Sequence, residues 1–381
     1  MAGCGDVRQP TDKIITVDVT KRYPKKELIL QDIFDVEYIA LETNDEFVTR
    51  GLVQYIGKDI VIVTNGSGRD GNIFIFDQKG KGIRKINRKG QSHEEYIDAT
   101  YFTMNEENNE MIIYDLYGQN IFVYDLLGNF KLKFNLDIWG YKGIFDRENL
   151  ISNHSSGELV NGKMVGARNG FYIVSRKDGS ITKEIEIPFE EKKWAVVISP
   201  DGRLSPFARN PTLIPHKSNW IVVEISSDTI YSIMPDFSLT PIIARTPAIQ
   251  FMDPEIFLFL SVTSDRYFFM QTVKKEYNFS TNTGWPRINL AYDRQEGDIF
   301  ECVVYNNDFL NNKQVIMSFE QRFSAYAVQN TEIAFFNIIE AHELVEAYKN
   351  GELKETGRLK EIAAKLGEED NSVIMLVKYK K

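Results

Sequence analysis

Histidine, cysteine and serine are the usual metal ligands and nucleophiles, and in this chain none of them occurs at a spacing that indicates a site. The four histidines lie far apart, and none belongs to an HExxH pattern that would bind zinc. The two cysteines form no CxxC pair, and no serine lies in a GxSxG turn. The histidines are His93, His154, His216 and His342.

One glycine-rich stretch, residues 66–71 (GSGRDG), fits the G-x-G-x-x-G pattern of dinucleotide-binding proteins. That site requires a helix directly after the glycines, with its N-terminus pointing at the pyrophosphate. The following residues, NIFIFD, are β-branched and aromatic, which is typical of a strand. We therefore interpret the glycines as a loop between two strands.

Ligand binding without catalysis needs fewer special residues, because aromatic rings stack on sugars or apolar side chains and arginine binds carboxylates or hydroxyls. Several such residues lie in polar stretches between apolar runs. Two of them have an equally good structural interpretation, Tyr96 as packing between repeats and Trp285 as a loop anchor. The candidate ligand-binding residues are Arg69, His93, Tyr96, His154, Arg168, Arg209, Trp285 and Arg287.

The elements that would position these residues repeat along the chain. Residues 72–80, 120–128 and 170–179 each form an apolar strand that ends in an Asp- and Gly-containing turn, and a second strand follows. Similar copies follow at 228–244 and 287–305, and a less regular sixth at 315–338. Four strands in about 50 residues is the pattern of a β-propeller blade.

The C-terminal region departs from this period. The apolar spacing becomes helical over residues 339–348 and 353–366, and an apolar run follows at 373–377. Another run, residues 36–41, has no local partner, and adding it to the last blade would close the ring and remove an exposed edge.

We therefore predict an all-β fold, a single six-bladed β-propeller over residues 33–381. A small C-terminal helical hairpin is inserted at about 339–367, before a closing strand at 373–379. Residues 1–32 are predicted to be an N-terminal tether and lead-in.

Loop lengths predict the functional face. In a propeller, the loops between blades share one face with the loops between the second and third strands of each blade. Several long polar or aromatic stretches fall on that face, and the opposite hairpins are short, which indicates one functional face. The stretches are 65–71, 90–96, 153–169, 192–210 and 275–287.

Charge and the N-terminus bear on location. The net charge is −9 without a basic stripe, which argues against nucleic-acid binding, and no apolar run is long enough for a membrane helix.

The start, Met-Ala-Gly followed by Cys4, resembles a bacterial lipobox, although Met1 stands where Leu is usual and no signal region precedes it. We predict lipidation of Cys4, the alternative being an ordinary tail cysteine. Cys302 is predicted to be a buried small hydrophobe.

Residues 38–43 (YIALET) and 88–96 (RKGQSHEEY) resemble motifs of one family, the six-bladed β-propeller lipoproteins of Bacteroidetes, related to NHL-type propellers. The second motif has a Gly-Gln-Gly-Pro-Gly-Glu-Tyr core, and Ser92, His93 and Glu94 depart from it. Residues 368–373 also match, with Ser372 where Pro is usual. The chain keeps Gly90, Gln91, Glu95 and Tyr96. The resemblance implies fold and envelope location but little about activity.

Together these observations predict a non-enzymatic, ligand- or partner-binding propeller lipoprotein, on the periplasmic or surface side of the bacterial outer membrane. It would bind a glycan, a peptide or an envelope protein, and needs no cofactor. The alternative is a metal-dependent, lactonase-like or lyase-like enzyme with Ca²⁺ in the axial channel, because oxygen ligands from distant strands leave no local motif. A structural subunit of an envelope complex is a third possibility.

Overall fold

The computed structural model describes residues 14–49, 51–65, 70–99, 101–115, 118–135, 142–160, 163–207, 212–216, 219–317, 328 and 330–380. Within them the chain forms a six-bladed β-propeller built from antiparallel sheets, with a helical hairpin near the C-terminus. The predicted fold class is confirmed.

Three strands and a short helix precede the first complete blade. They are β1 (Ile15–Asp18), β2 (Lys25–Ile29), α1 (Leu30–Ile33) and β3 (Phe34–Ala40).

The first three blades have four strands each, in chain order from the inside of the ring to the outside. Blade 1 comprises β4 (Leu52–Ile56), β5 (Ile60–Thr64), β6 (Asn72–Asp77) and β7 (Gly82–Asn87). Blade 2 comprises β8 (Tyr101–Asn105), β9 (Glu110–Asp115), β10 (Asn120–Asp125) and β11 (Phe130–Asn135). Blade 3 comprises β12 (Lys142–Ile144), β13 (Asn149–Val160), β14 (Lys163–Ser175) and β15 (Ile181–Ile185).

Blades 4 and 5 carry additional elements. A hairpin of β16 (Val196–Ile198) and β17 (Leu204–Pro206) precedes blade 4, which comprises β18 (Leu213–His216), β19 (Asn219–Val222), β20 (Thr229–Ile233) and β21 (Leu239–Thr246). A 3₁₀ turn (Ile249–Phe251) leads to β22 (Ile256–Thr263) and β23 (Tyr267–Lys274) of blade 5, and the small hairpin β24 (Tyr277–Asn278) and β25 (Thr283–Gly284) follows. The blade ends with β26 (Arg287–Asp293) and β27 (Asp298–Asn306), against which β28 (Lys313–Val315) also pairs.

The last blade joins the two ends of the described chain. It contains β29 (Ile333–Ile339) and β30 (Val373–Tyr379), with α2 (Ala341–Lys349) and α3 (Arg358–Ala363) between them. The N-terminal β3 pairs antiparallel with β30, Val36 opposite Val377 and Ile39 opposite Ile374. The predicted use of residues 36–41 to complete the last blade is thereby confirmed. Part of the predicted sixth copy, residues 318–327, lies outside the described residues.

A single side chain fixes the junction beyond β3. The amide of Asn371 donates to the carbonyl oxygens of Glu42 at 2.6 Å and Phe47 at 2.5 Å. Its oxygen accepts from the backbone N–H of Thr49 at 2.9 Å, and Asn371 is only 3% exposed. Asn371, which belongs to the motif at residues 368–373, therefore holds the loop that follows the motif at residues 38–43.

The strands follow from the sequence in a simple way. Middle strands are buried on both faces, and β5 (IVIVT) is accordingly a continuous β-branched run. The turns before the outer strands need a left-handed residue, which Gly80 supplies at φ 85°. A Cβ there would lie 1.9 Å from the carbonyl oxygen of Ala40, so only glycine fits.

The hydrophobic core is a set of layers between neighbouring blades. Between the last blade and the first, the ring of Phe47 lies 5.4 Å from that of Phe76 and 6.4 Å from that of Phe74. Between blades 1 and 2, the layer contains Phe122 and Tyr124. Such layers bury the apolar faces of both blades at once, so each blade depends on its neighbours.

An N-terminal belt, β1 and β2, covers the outer edges of two blades. Strand β1 runs parallel to β21 of blade 4, and β2 runs parallel to β27 of blade 5. The lead-in that the sequence predicts over residues 1–32 is thus part of the propeller from Ile15 onward. The outer strands differ in sequence: β27 (DIFECVVYN) is largely apolar, whereas β7 (GIRKIN) exposes Arg84 and Lys85.

We expect removal of residues 1–24 to lower the midpoint of thermal unfolding by about 5–10 °C and to cause self-association. The deletion exposes the edge of β21 and loses the burial of Ile15, Val17 and Val19. Calorimetry and size-exclusion chromatography measure both effects. Removal of residues 1–13 is the control that keeps β1. A truncated protein that stays monomeric with an unchanged midpoint would contradict the role of the belt.

Candidate functional site

The upper face, defined by the loops between blades and those between second and third strands, carries the long excursions. They are the 88–100 loop, the β13–β14 hairpin, the segment containing β16 and β17, the β24–β25 hairpin, and the helices α2 and α3. Two of the predicted ligand-binding residues, His93 and Tyr96, lie on the first of these.

Tyr96 is a structural residue. Its ring is completely buried, and its hydroxyl donates to the carbonyl of Gly71 at 2.8 Å and accepts from the N–H of Arg88 at 3.0 Å. Burial raises the pKa of Tyr96 to about 12, so the phenol stays protonated as a donor. No ligand on the upper face can reach this ring. The structure corrects its assignment as a ligand-binding residue in favour of the alternative, packing between blades.

Other residues of the motif at 88–96 also stabilise the 88–100 loop. The Glu95 carboxylate accepts from the backbone N–H of Ser92 at 3.0 Å, and this bonding lowers the pKa of Glu95. His93 is exposed, and its ring meets the edge of Phe130 at 5.8 Å. Because His93 lies above blades 1 and 2, it is not brought together with Trp285 and Arg287.

Trp285 and Arg287 meet at blade 5, around a residue that the sequence did not single out. The Trp285 ring lies 5.3 Å from that of Phe207, and the Arg287 guanidinium lies 5.1 Å from the same ring. Trp285 is 7% exposed, and its indole N–H donates to the hydroxyl of Ser205 at 3.2 Å. It anchors the β16–β17 hairpin to blade 5, as its structural interpretation predicts.

Phe207 faces a cavity of about 370 Å³ on the upper face, where blades 3, 4 and 5 meet. We call it the upper cavity. Its walls are largely apolar: Phe171 comes from β14, Phe259 from β22, and Trp194 and Leu204 from the segment that crosses between blades 3 and 4. Its size and composition match those of pockets that bind small ligands.

One ion pair lies at the wall of the upper cavity. The ammonium of Lys192 is 2.8 and 2.9 Å from the two carboxylate oxygens of Glu224, with the side chains 17% and 12% exposed. Glu224 also accepts from the N–H and hydroxyl of Ser226 at 2.9 and 2.6 Å. The ammonium lies 5.5 Å from the ring of Phe189 and 5.6 Å from that of Trp194. These contacts hold a charged pair against an otherwise apolar surface.

The sequence missed Lys192, Trp194, Phe207 and Glu224 as individual residues. The first three lie within the stretch 192–210 that loop length had already marked, so an aromatic residue in a long upper-face loop was the available signal. Glu224 follows β19, and no pattern in the sequence marked it as a site residue, because only the fold brings it close to Lys192.

Other predicted residues cannot be placed in full. Cys4, Arg69 and Arg209 lie outside the described residues. His154 and Arg168 lie on β13 and β14, but their side chains are outside the described part of the structure. The backbone of His154 pairs with Gly170, which lines the upper cavity.

A second cavity of about 510 Å³ lies on the opposite face, between blades 2 and 3. Its central charges already pair with one another: Glu110 contacts Arg176 at 2.6 Å and Lys131 at 3.5 Å. The lining of the upper cavity is the more apolar of the two and carries more aromatic rings, so the upper cavity is the better candidate.

Among the described residues, no three His, Cys, Asp or Glu side chains form a group that could hold a metal ion. Cys302 is 5% exposed, as predicted, and burial raises the pKa of its thiol to about 12. No helix in the described ranges is long and apolar enough to cross a membrane.

Comparison with known proteins gives a family and a fold. A family model described as a domain of unknown function (DUF4934) matches residues 14–378. A crystal structure of a candidate exported protein from Bacteroides fragilis NCTC 9343 is 16% identical, with a TM-score of 0.60 over 97% of this chain and 100% of that one. No curated protein matches the chain.

Two further solved structures are more distant. A DUF4221 family member from Bacteroides vulgatus is 9% identical, with a TM-score of 0.49 over 92% of this chain and 98% of that one. Virginiamycin B lyase from Staphylococcus aureus is 12% identical, with a TM-score of 0.29 over 72% of this chain and 94% of that one. Likeness at this level carries no argument about activity.

We expect Tyr96→Phe to lower the free energy of unfolding by about 1–2 kcal/mol, because it removes the hydroxyl that pairs with the carbonyl of the buried Gly71 and with the N–H of Arg88. Urea denaturation measures the change. Tyr348→Phe, at a 37% exposed tyrosine on α2, is the matched control and should change stability little. If the two variants lost the same stability, Tyr96 would not fasten the loop.

Proposed function

The chain belongs to the family described as a domain of unknown function (DUF4934), and since that family assigns it no activity, we propose from its geometry a non-enzymatic ligand-binding propeller. The binding site is the upper cavity. The single observation that carries the proposal is a mostly apolar, aromatic-lined cavity with one ion pair at its wall. Binding there needs no metal and no cofactor.

The cavity lining suits a ligand with an apolar or flat face. Trp194 and Phe207 present aromatic rings, on which a sugar face or an apolar peptide side chain can stack. Polar groups are few and therefore orient the ligand: besides Lys192 and Glu224, the amide of Asn153 donates to the hydroxyl of Thr212 at 2.6 Å at the edge of the cavity. A glycan or a peptide is the ligand class we propose.

The protein is proposed to act at the bacterial cell envelope, as an outer-membrane lipoprotein. Two observations support this location: the lipobox-like Cys4 at the start of the chain, and the likeness in fold to a Bacteroides protein named as a candidate exported protein. The belt begins at Ile15, so the residues between Cys4 and the belt would serve as the tether.

We expect Trp194→Ala to weaken the best ligand from glycan and peptide arrays about tenfold or more, because a stacked ring is lost. Isothermal titration calorimetry measures the dissociation constant. Phe251→Ala is the matched control, since Phe251 is an 83% exposed aromatic residue before blade 5 and does not line the cavity. Equal loss in both variants, or no loss in Trp194→Ala, would place the ligand elsewhere.

With an export signal supplied upstream, we expect the protein to appear in the membrane fraction and Cys4→Ser to appear in the soluble fraction. Mass spectrometry of the N-terminal peptide detects the lipid directly. Cys302→Ala should leave the partition unchanged, because that thiol is buried. Membrane association that persists in Cys4→Ser would refute the anchor and leave the cavity unaffected.

A further inference from the structure

We infer that the upper cavity selects ligands that join an apolar body to an acidic group. This inference rests on the proposed function and adds the ligand's charge. The apolar body would contact Trp194, Phe207 and Phe259, and the acidic group would contact Lys192.

Among the described residues, the cavity lining carries one excess positive charge, although the net charge of the chain is −9. Its charged residues are Lys192, Lys193 and Glu224. The partner of Lys193 is Glu191, at 2.7 Å but 71% exposed, and a pair with so exposed a partner is strongly screened by water. The exposed Glu191 therefore offsets the charge of Lys193 only weakly at the cavity wall.

The two members of the ion pair differ in the hydrogen bonds that they can still form. Glu224 already receives hydrogen bonds from Lys192 and from both donors of Ser226. The ammonium of Lys192 has three N–H groups, and in the described part of the chain its hydrogen bonds go only to Glu224. An acidic oxygen of the ligand can therefore take the remaining N–H.

Aromatic rings can also bind cations, and this alternative fits the cavity poorly. The ring face of Trp194 already lies within 5.6 Å of the Lys192 ammonium. The Arg287 guanidinium likewise lies 5.1 Å from the Phe207 ring. A cationic ligand would meet the Lys192 ammonium at short range, whereas an anion is attracted by it.

Two dyes with the same apolar body test the inference. 1-Anilinonaphthalene-8-sulfonate carries a negative charge, and N-phenyl-1-naphthylamine lacks it. We expect the wild-type protein to bind the sulfonate about tenfold more tightly than the neutral dye at low ionic strength. Glu224→Gln keeps the shape of the side chain and removes its charge, so it should tighten the sulfonate by about a further fivefold and leave the neutral dye unchanged.

The double variant Lys192→Met with Glu224→Gln removes both charges and should reduce the preference for the sulfonate to about the residual effect of Lys193. Lys131→Met, in the cavity of the opposite face, is the matched control and should leave both affinities as in the wild type. Circular dichroism of each variant confirms that it is folded.

The outcomes separate the inference from the proposed function. If Trp194→Ala weakens both dyes and the charge variants change only the sulfonate, both stand. If the protein binds the two dyes equally well and Trp194→Ala weakens both, the preference for acidic ligands is refuted and the upper cavity remains the binding site. Binding that Trp194→Ala does not change overturns both.

Displacement of the sulfonate dye distinguishes two sources of the acid. 4-Phenylbutyrate represents a free apolar acid, and N-acetyl-alanyl-phenylalanine represents a peptide C-terminus. The amides of both compounds are the uncharged controls. We expect at least one acid to displace the dye and neither amide to do so, and displacement by the amides at equal concentration would overturn the inference.

Discussion

Every blade of this propeller depends on edges being covered, because an unpaired β-strand exposes N–H and C=O groups that pair with whatever strand is near. The pairing of β3 with β30 covers the edge of the last blade and fastens the N-terminal segment to the C-terminal strand. Asn371 then ties the following loop to that junction. Closure fixes the spacing of the blades, and this spacing fixes where the upper-face loops meet.

The outer strands of the ring are protected in two ways. Blades 1 to 3 have outer strands with exposed charged residues, which protect an edge by charge. Blades 4 and 5 have more apolar outer strands, and the belt protects them by pairing. The upper cavity lies where blade 3 meets these two blades, and the extra hairpin β16–β17 forms part of its wall.

Local patterns predicted the strands, the turn glycines and the closing strand, because each is dictated by residues close in sequence or by an apolar run without a partner. The belt escaped prediction, since β1 and β2 are short, their partners β21 and β27 lie more than half of the chain away, and parallel pairing leaves no turn signal. The cavity escaped for a related reason. Lys192 and Glu224 come from irregular segments of different loops, and only the closed ring brings them together. Tyr96 is the opposite case: the motif made it a candidate ligand-binding residue, and in the structure it stabilises the fold.

Crystals of the protein soaked with a library of small fragments, about half of them apolar acids, would test the account most directly. It predicts that bound fragments concentrate in the upper cavity, with rings against Trp194 and Phe207 and acidic groups at Lys192. Fragments that concentrate in the cavity between blades 2 and 3, and leave the upper cavity empty, would contradict it.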